Sequence, residues 1–79
     1  MTGMGYGIKE RLLKAHENFE SLLRDIVPSL SPRDAARLTN FYLSNHLAKR
    51  DMVMGRITVT HGAYLEPETI RKALAMMQA

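Results

Sequence analysis

Val27-Pro28-Ser29-Leu30-Ser31-Pro32-Arg33-Asp34-Ala35 is the stretch from which the fold of this chain is read. Pro28 lacks the amide proton that a helix interior requires, so it stops any helix arriving from the N-terminal side. Ser31 then offers a hydroxyl as N-cap, Pro32 brings a pre-set φ to the first helical position, and Asp34 places an acid three residues after the cap. One helix ends and another begins across a short connection, which folds the second back antiparallel on the first.

Upstream, Ile8, Leu12, Ala15, Phe19, Leu22 and Ile26 recur in alternating steps of four and three, the seam of an amphipathic helix. Leu13, Leu23 and Val27 widen the stripe beyond a narrow two-stranded seam, and fewer than three heptads are present, so the stripe reads as intramolecular core. Glu10 with Lys14 and Glu20 with Arg24 stand in the favourable i,i+4 order on the opposite face. Residues 1–7 contain three glycines and are expected to form a flexible lead-in to one compact domain over 8–79.

Downstream, the second helix is expected to run to about Lys49. Leu38, Tyr42, Ala35, Leu43, Ala36 and Leu47 share its apolar arc, whereas Arg33, Arg37, Asn40 and Ser44 form a polar strip. Thr39 and His46 fall inside the arc. Thr39 is read as bonding back to a carbonyl of its own helix, and His46 as a partly buried core residue rather than a ligand. Lys49 and Arg50 fall at the helix end, where they favour its dipole.

After Asp51 the period changes to two, with Val53, Gly55, Ile57 and Val59 alternating against Met54, Arg56, Thr58 and Thr60, and β-branched residues marking a strand. Two arrangements fit: a hairpin turning at Gly55-Arg56, or one longer strand over 52–60 that pairs with a partner chain. His61-Gly62 ends the strand. Glu66-Pro67-Glu68 opens a last helix, in which Ile70, Ala73, Leu74 and Met77 make the apolar face. The fold class is mainly α with a small β element: an antiparallel helical hairpin, a β-hairpin or single strand, and a short C-terminal helix packed with the strand region. Leu12, Phe19, Leu22, Ile26, Leu38, Tyr42, Leu43, Ile57, Val59, Ile70 and Leu74 are the expected core.

With 79 residues, 46% hydrophobic and 24% charged, the composition is that of one small globular domain. A core of this size supplies only about 3–5 kcal/mol. Zero cysteines exclude disulfides and thiolate zinc, so close helix packing or a second copy of the chain must contribute, and a homodimer is expected. No stretch reaches the roughly 20 apolar residues of a membrane span, and the N-terminus lacks a basic start and an apolar run, so a cytoplasmic protein with no membrane contact is expected.

The net charge of +3 is not spread evenly. Residues 1–30 and 62–79 are balanced, while 31–61 hold five basic against two acidic residues: Arg33, Arg37, Lys49, Arg50 and Arg56 against Asp34 and Asp51. The plain reading is a set of solvated helix ends; the sharper one is a patch that attracts anions.

Chemistry is sparse. His16, His46 and His61 lie on three different elements without ligand spacing, no carboxylate pair stands apart from basic neighbours, no serine sits in a nucleophile elbow, and the glycines of 3–7 follow no strand. No catalytic, metal or cofactor site is expected, and the sequence narrows function to non-enzymatic binding of a macromolecule. The candidate contacts are Arg33, Arg37, Lys49, Arg50, Met52, Met54 and Arg56, where excess charge meets exposed apolar strand and adaptable thioethers. Binding of a partner protein is preferred. DNA binding is the alternative, with Arg56, Thr58 and Thr60 reading bases and Arg33 and Arg37 on phosphates, although the element order fits neither a winged helix-turn-helix nor a ribbon-helix-helix.

The segment Lys49-Arg50-Asp51-Met52-Val53-Met54-Gly55-Arg56-Ile57-Thr58-Val59-Thr60-His61-Gly62-Ala63-Tyr64-Leu65-Glu66 resembles small proteins of temperate bacteriophages and other mobile elements. The resemblance covers less than half the chain and transfers no functional residue. It implies a class whose members bind a host protein to block or redirect it, with transcriptional regulators as the other common kind.

Overall fold

The structure is a computed structural model that describes residues 7–60 and 63–78. Helix α1 spans Ile8–Ile26 and α2 Pro32–Ser44; strands β1 (Ala48–Asp51) and β2 (Arg56–Val59) follow, and α3 covers Pro67–Gln78. The fold is mainly helical with a small β element. Residues 1–6 of the expected lead-in, and the His61-Gly62 strand end, lie outside the described residues.

Each helix starts where local chemistry satisfies its free amides. The Gly7 N–H at the head of α1 donates to the Glu10 carboxylate at 3.0 Å, and Ser31 Oγ accepts the Asp34 N–H at 3.1 Å with Pro32 at the first position of α2. Before α3, the Glu66 N–H donates to Thr69 Oγ1 at 3.0 Å, and the proline and acid of the first turn are Pro67 and Glu68. Glu10 and Glu20 do not close the expected pairs with Lys14 and Arg24: among the described residues the ion pair within 4 Å is Arg37–Asp34, at 3.7 Å.

Helix α2 stops at Ser44, short of the expected Lys49, and the cause is a Schellman cap. Asn45 ends the helix, His46 turns left-handed at φ 60°, the His46 N–H donates to Leu43 O, and the Leu47 N–H donates to Tyr42 O at 2.8 Å. His46 is thereby exposed and not part of the core. Lys49 and Arg50 belong to β1 rather than to a helix end. Thr39, fully buried, donates its hydroxyl to Ala35 O at 2.9 Å, as its place in the helix predicts.

The two strands form an antiparallel hairpin with Ala48 opposite Val59, Lys49 opposite Thr58, Arg50 opposite Ile57 and Asp51 opposite Arg56. A single strand over 52–60 is therefore not what forms. Nor is the turn at Gly55-Arg56: it runs through 52–55, because Asp51 organises it. Asp51 Oδ1 accepts the Val53 and Met54 N–H groups at 3.1 and 3.0 Å, and its carbonyl accepts the Gly55 N–H at 2.8 Å. This is an Asx-type turn, with Gly55 in the left-handed region at φ 66°. At the hairpin base the Thr60 N–H donates to Leu47 O and its hydroxyl to His46 O.

One cluster of buried residues unites the elements: Ala15, Phe19, Leu23, Val27, Leu30, Ala35, Leu38, Tyr42, Ala48, Ile57, Ile70 and Ala73. Helix α2 folds back on α1 so that Phe19 and Tyr42 meet edge to face, ring centres 6.0 Å apart. The hairpin lies on α1 through β2, and α3 rests on the other side of α2 rather than on the strand region. Phe19, Leu38, Tyr42, Ile57 and Ile70 are buried as expected, and Ile26, Leu43, Val59 and Leu74 pack against the cluster while partly exposed.

Leu12, also expected in the core, is partly exposed and outside the cluster, and Leu22 is the clear exception. Leu22 is 43% exposed, whereas Leu23 is completely buried. The innermost row of α1 runs Ala15, Phe19, Leu23, a step of four throughout, because α2 and β2 cover that side of the helix.

Candidate functional site

Alternation along the hairpin sorts the candidate residues by face. Ala48 and Ile57 are buried, so Arg50 and Val59 share their inner face, while Lys49, Asp51, Arg56 and Thr58 point outward. Arg50 accordingly turns toward α1, where its Nε–H donates to His16 Nε2 at 3.3 Å. Lys49 and Arg56 remain on the outer face. Met52 and Met54 sit in the turn, 44% and 60% exposed, on either side of Val53 at 84%.

Arg33 and Arg37 are not brought to this surface. They ride on the first turns of α2, and Arg37 lines a shallow depression with Asn40, Phe41, Ser44 and Met77, beside α3 and away from the hairpin. Of the five cations of the middle segment, Arg33 and Arg37 thus ride on α2, the latter beside Met77 of α3, Lys49 and Arg56 share the outer sheet face, and Arg50, still exposed, reaches toward α1. The five do not share one face.

The structure adds residues that the sequence pattern did not single out. The N-terminal part of α1 runs past the tip of the hairpin, and Glu10, Arg11, Lys14, Val53, Met54 and Gly55 line a groove of about 690 Å³ between them. Arg11 crosses the groove floor: its guanidinium donates to Met52 O at 3.5 Å, and its aliphatic stem lies over Gly55. A Cβ on Gly55 would stand 2.8 Å from Arg11 Cγ, so this position needs glycine both for its φ and for the close approach. Sequence periodicity has no access to this pairing, because the two residues are 44 positions apart.

A second concavity, about 440 Å³, opens between the end of α2 and α3, walled by Phe41, Tyr42, Leu47, Tyr64 and Met76. It contains none of the candidate residues. Among the described residues, no three histidine or carboxylate side chains converge as metal ligands would, and no helix is long and apolar enough to cross a membrane.

The His16–Arg50 contact ties hairpin to helix in a pH-dependent way. The permanently charged guanidinium can donate only to an unprotonated Nε2. Burial pushes the His16 pKa down, the Arg50 charge pushes it further down, and Glu20 one turn along α1 draws it up. With the folded value below the unfolded one of about 6.5, the unfolded chain binds more protons in the interval between them, and stability declines as pH falls through it. Thermal melts between about pH 8 and pH 5 should show this decline, and His16→Gln should make it shallower; equal slopes for both proteins would refute the assignment.

No protein-family model, curated protein or solved structure matches this chain.

Proposed function

We propose that this protein is a non-enzymatic interaction protein that binds a partner protein through the tip of its β-hairpin. The observation that carries the reading is the exposed run Met52-Val53-Met54, three consecutive apolar side chains held out at the turn by Asp51 and by the Arg11 guanidinium. A turn whose backbone is already ordered loses little further backbone entropy on docking, and methionine adapts to irregular surfaces. In the same reading the protein works in the cytoplasm as a homodimer and blocks or redirects a host protein, the role implied by the resemblance of residues 49–66 to phage and mobile-element proteins.

The second reading, DNA binding, draws on Lys49, Arg56 and Thr58 sharing the outer sheet face. Against it stand the Asp51 carboxylate on that same face and the separation of Arg33 and Arg37, which removes the phosphate contacts it needs.

The deciding experiment is affinity capture from lysate of the source cell, with nuclease treatment and at two salt concentrations, comparing the natural chain with Val53→Asp. A nuclease-resistant partner held by the natural chain and lost by Val53→Asp supports the tip, because a buried aspartate without a partner typically costs about 3 kcal/mol or more at an interface. Recovery of nucleic acid that disappears at high salt supports the second reading. Capture unchanged by Val53→Asp rejects the hairpin tip as the contact.

A further inference from the structure

The groove beside the tip carries an asymmetry that says what kind of segment it receives. One wall is apolar, formed by Val53 and Met54, 84% and 60% exposed. The other is the polar flank of α1, from which Lys14 lines the groove and Arg11 crosses its floor to Met52 O. Among the described residues neither cation has a carboxylate within 4 Å, and the i,i+4 partner available to Lys14 is withdrawn: Glu10 holds the Gly7 N–H instead. The groove thus sets an apolar strip beside two cations that have no carboxylate within 4 Å, while the Glu10 carboxylate in the same lining is held by the Gly7 amide. Exposed cations at a groove edge attract and orient an anionic partner while the apolar strip supplies the contact area.

We infer that the groove between α1 and the hairpin tip receives a polypeptide segment of the partner that is apolar on one side and carboxylate-bearing on the other, with its acids on Arg11 and Lys14 and its apolar side chains on Val53 and Met54. This inference rests on the hairpin-tip reading and sharpens it to a class of partner. Nucleic acid is disfavoured here, because the groove's opposite wall has no aromatic platform and Glu10 stands at its edge.

The test is a titration of the isotope-labelled full chain, followed by backbone amide NMR, with two short synthetic peptides: one alternating glutamate and leucine, the other glutamine and leucine. The acidic peptide is expected to bind saturably, shifting the Lys14, Val53, Met54 and Gly55 amides, and to bind about tenfold more tightly than its neutral counterpart. Lys14→Gln, whose side chain makes no contact on which the fold depends, should weaken the acidic peptide about threefold and leave the neutral one unchanged. Glu10→Gln retains an acceptor for the Gly7 amide and should tighten the acidic peptide, a change that a merely structural role would not produce.

Equal binding of the two peptides, or shifts centred away from the groove, overturns the inference, as does tighter binding of a short DNA duplex than of the acidic peptide. If Val53→Asp abolishes partner capture while the acidic peptide leaves the groove amides unmoved, the hairpin-tip reading stands and the acidic-segment inference fails. If capture also survives Val53→Asp, both fail.

Discussion

Leu23→Ala is expected to leave a large fraction of the chain unfolded at room temperature, while Leu22→Ala, its sequence neighbour, is expected to change the thermal midpoint little. Leu23 is completely buried at the centre of the α1 row. Truncating such a leucine costs about 2–5 kcal/mol through lost burial and the cavity left behind. A core of this size supplies only about 3–5 kcal/mol in total, so the loss is comparable with the whole. Leu22 is 43% exposed, and its truncation should cost well under about 1 kcal/mol. Urea unfolding of the two variants measures the contrast directly. Similar costs at both positions would mean that α1 is rotated from the orientation described, and a Leu22 effect that grows with protein concentration would place that leucine in the seam of a dimer.

Gly55→Ala is the second large effect. A residue other than glycine in the left-handed region costs about 1–2 kcal/mol, and the added methyl would meet Arg11 Cγ at 2.8 Å. Either Arg11 swings off the turn, releasing Met52 O, or the turn moves away from α1. Both outcomes disturb the hairpin tip, so the substitution should lower stability and change the Val53 and Met54 amide environments together. Arg11→Ala removes the obstructing stem, and the double variant should recover the steric share of the loss while retaining the backbone strain. A double-mutant cycle isolates that coupling. Strict additivity of the two changes would show that Arg11 does not lie over Gly55.

The candidate site was legible in part. Met52 and Met54 are exposed, although in a turn rather than on a strand, and Lys49 shares a face with Arg56 because it lies in β1 rather than at a helix end. Arg50 lies on the other face from Lys49 because the hairpin starts at Ala48: this register places it opposite Ile57, within reach of His16. The left-handed turn at His46 has a local signal in Asn45-His46, since both residue types enter that region more readily than most. The turn likewise has one in Asp51 with Gly55 four residues on. Periodicity of apolar residues registers neither, because a cap and an Asx turn are made by single polar side chains.

What the amino-acid sequence determined by itself is the set of elements whose causes are local. Pro28 ends α1, Ser31 and Pro32 start α2, Pro67 and Glu68 start α3, and β-branched residues place β2, because each effect acts within a turn of the residue responsible. Only the tertiary structure decided which side of α1 became the core, that Arg33 and Arg37 would stand apart from the hairpin, and that Arg11 would close over Gly55. Those outcomes depend on which surfaces meet across long stretches of chain. The apolar stripe of α1 was wide enough to bury either Leu22 or Leu23, and packing against α2 and β2 selected between them.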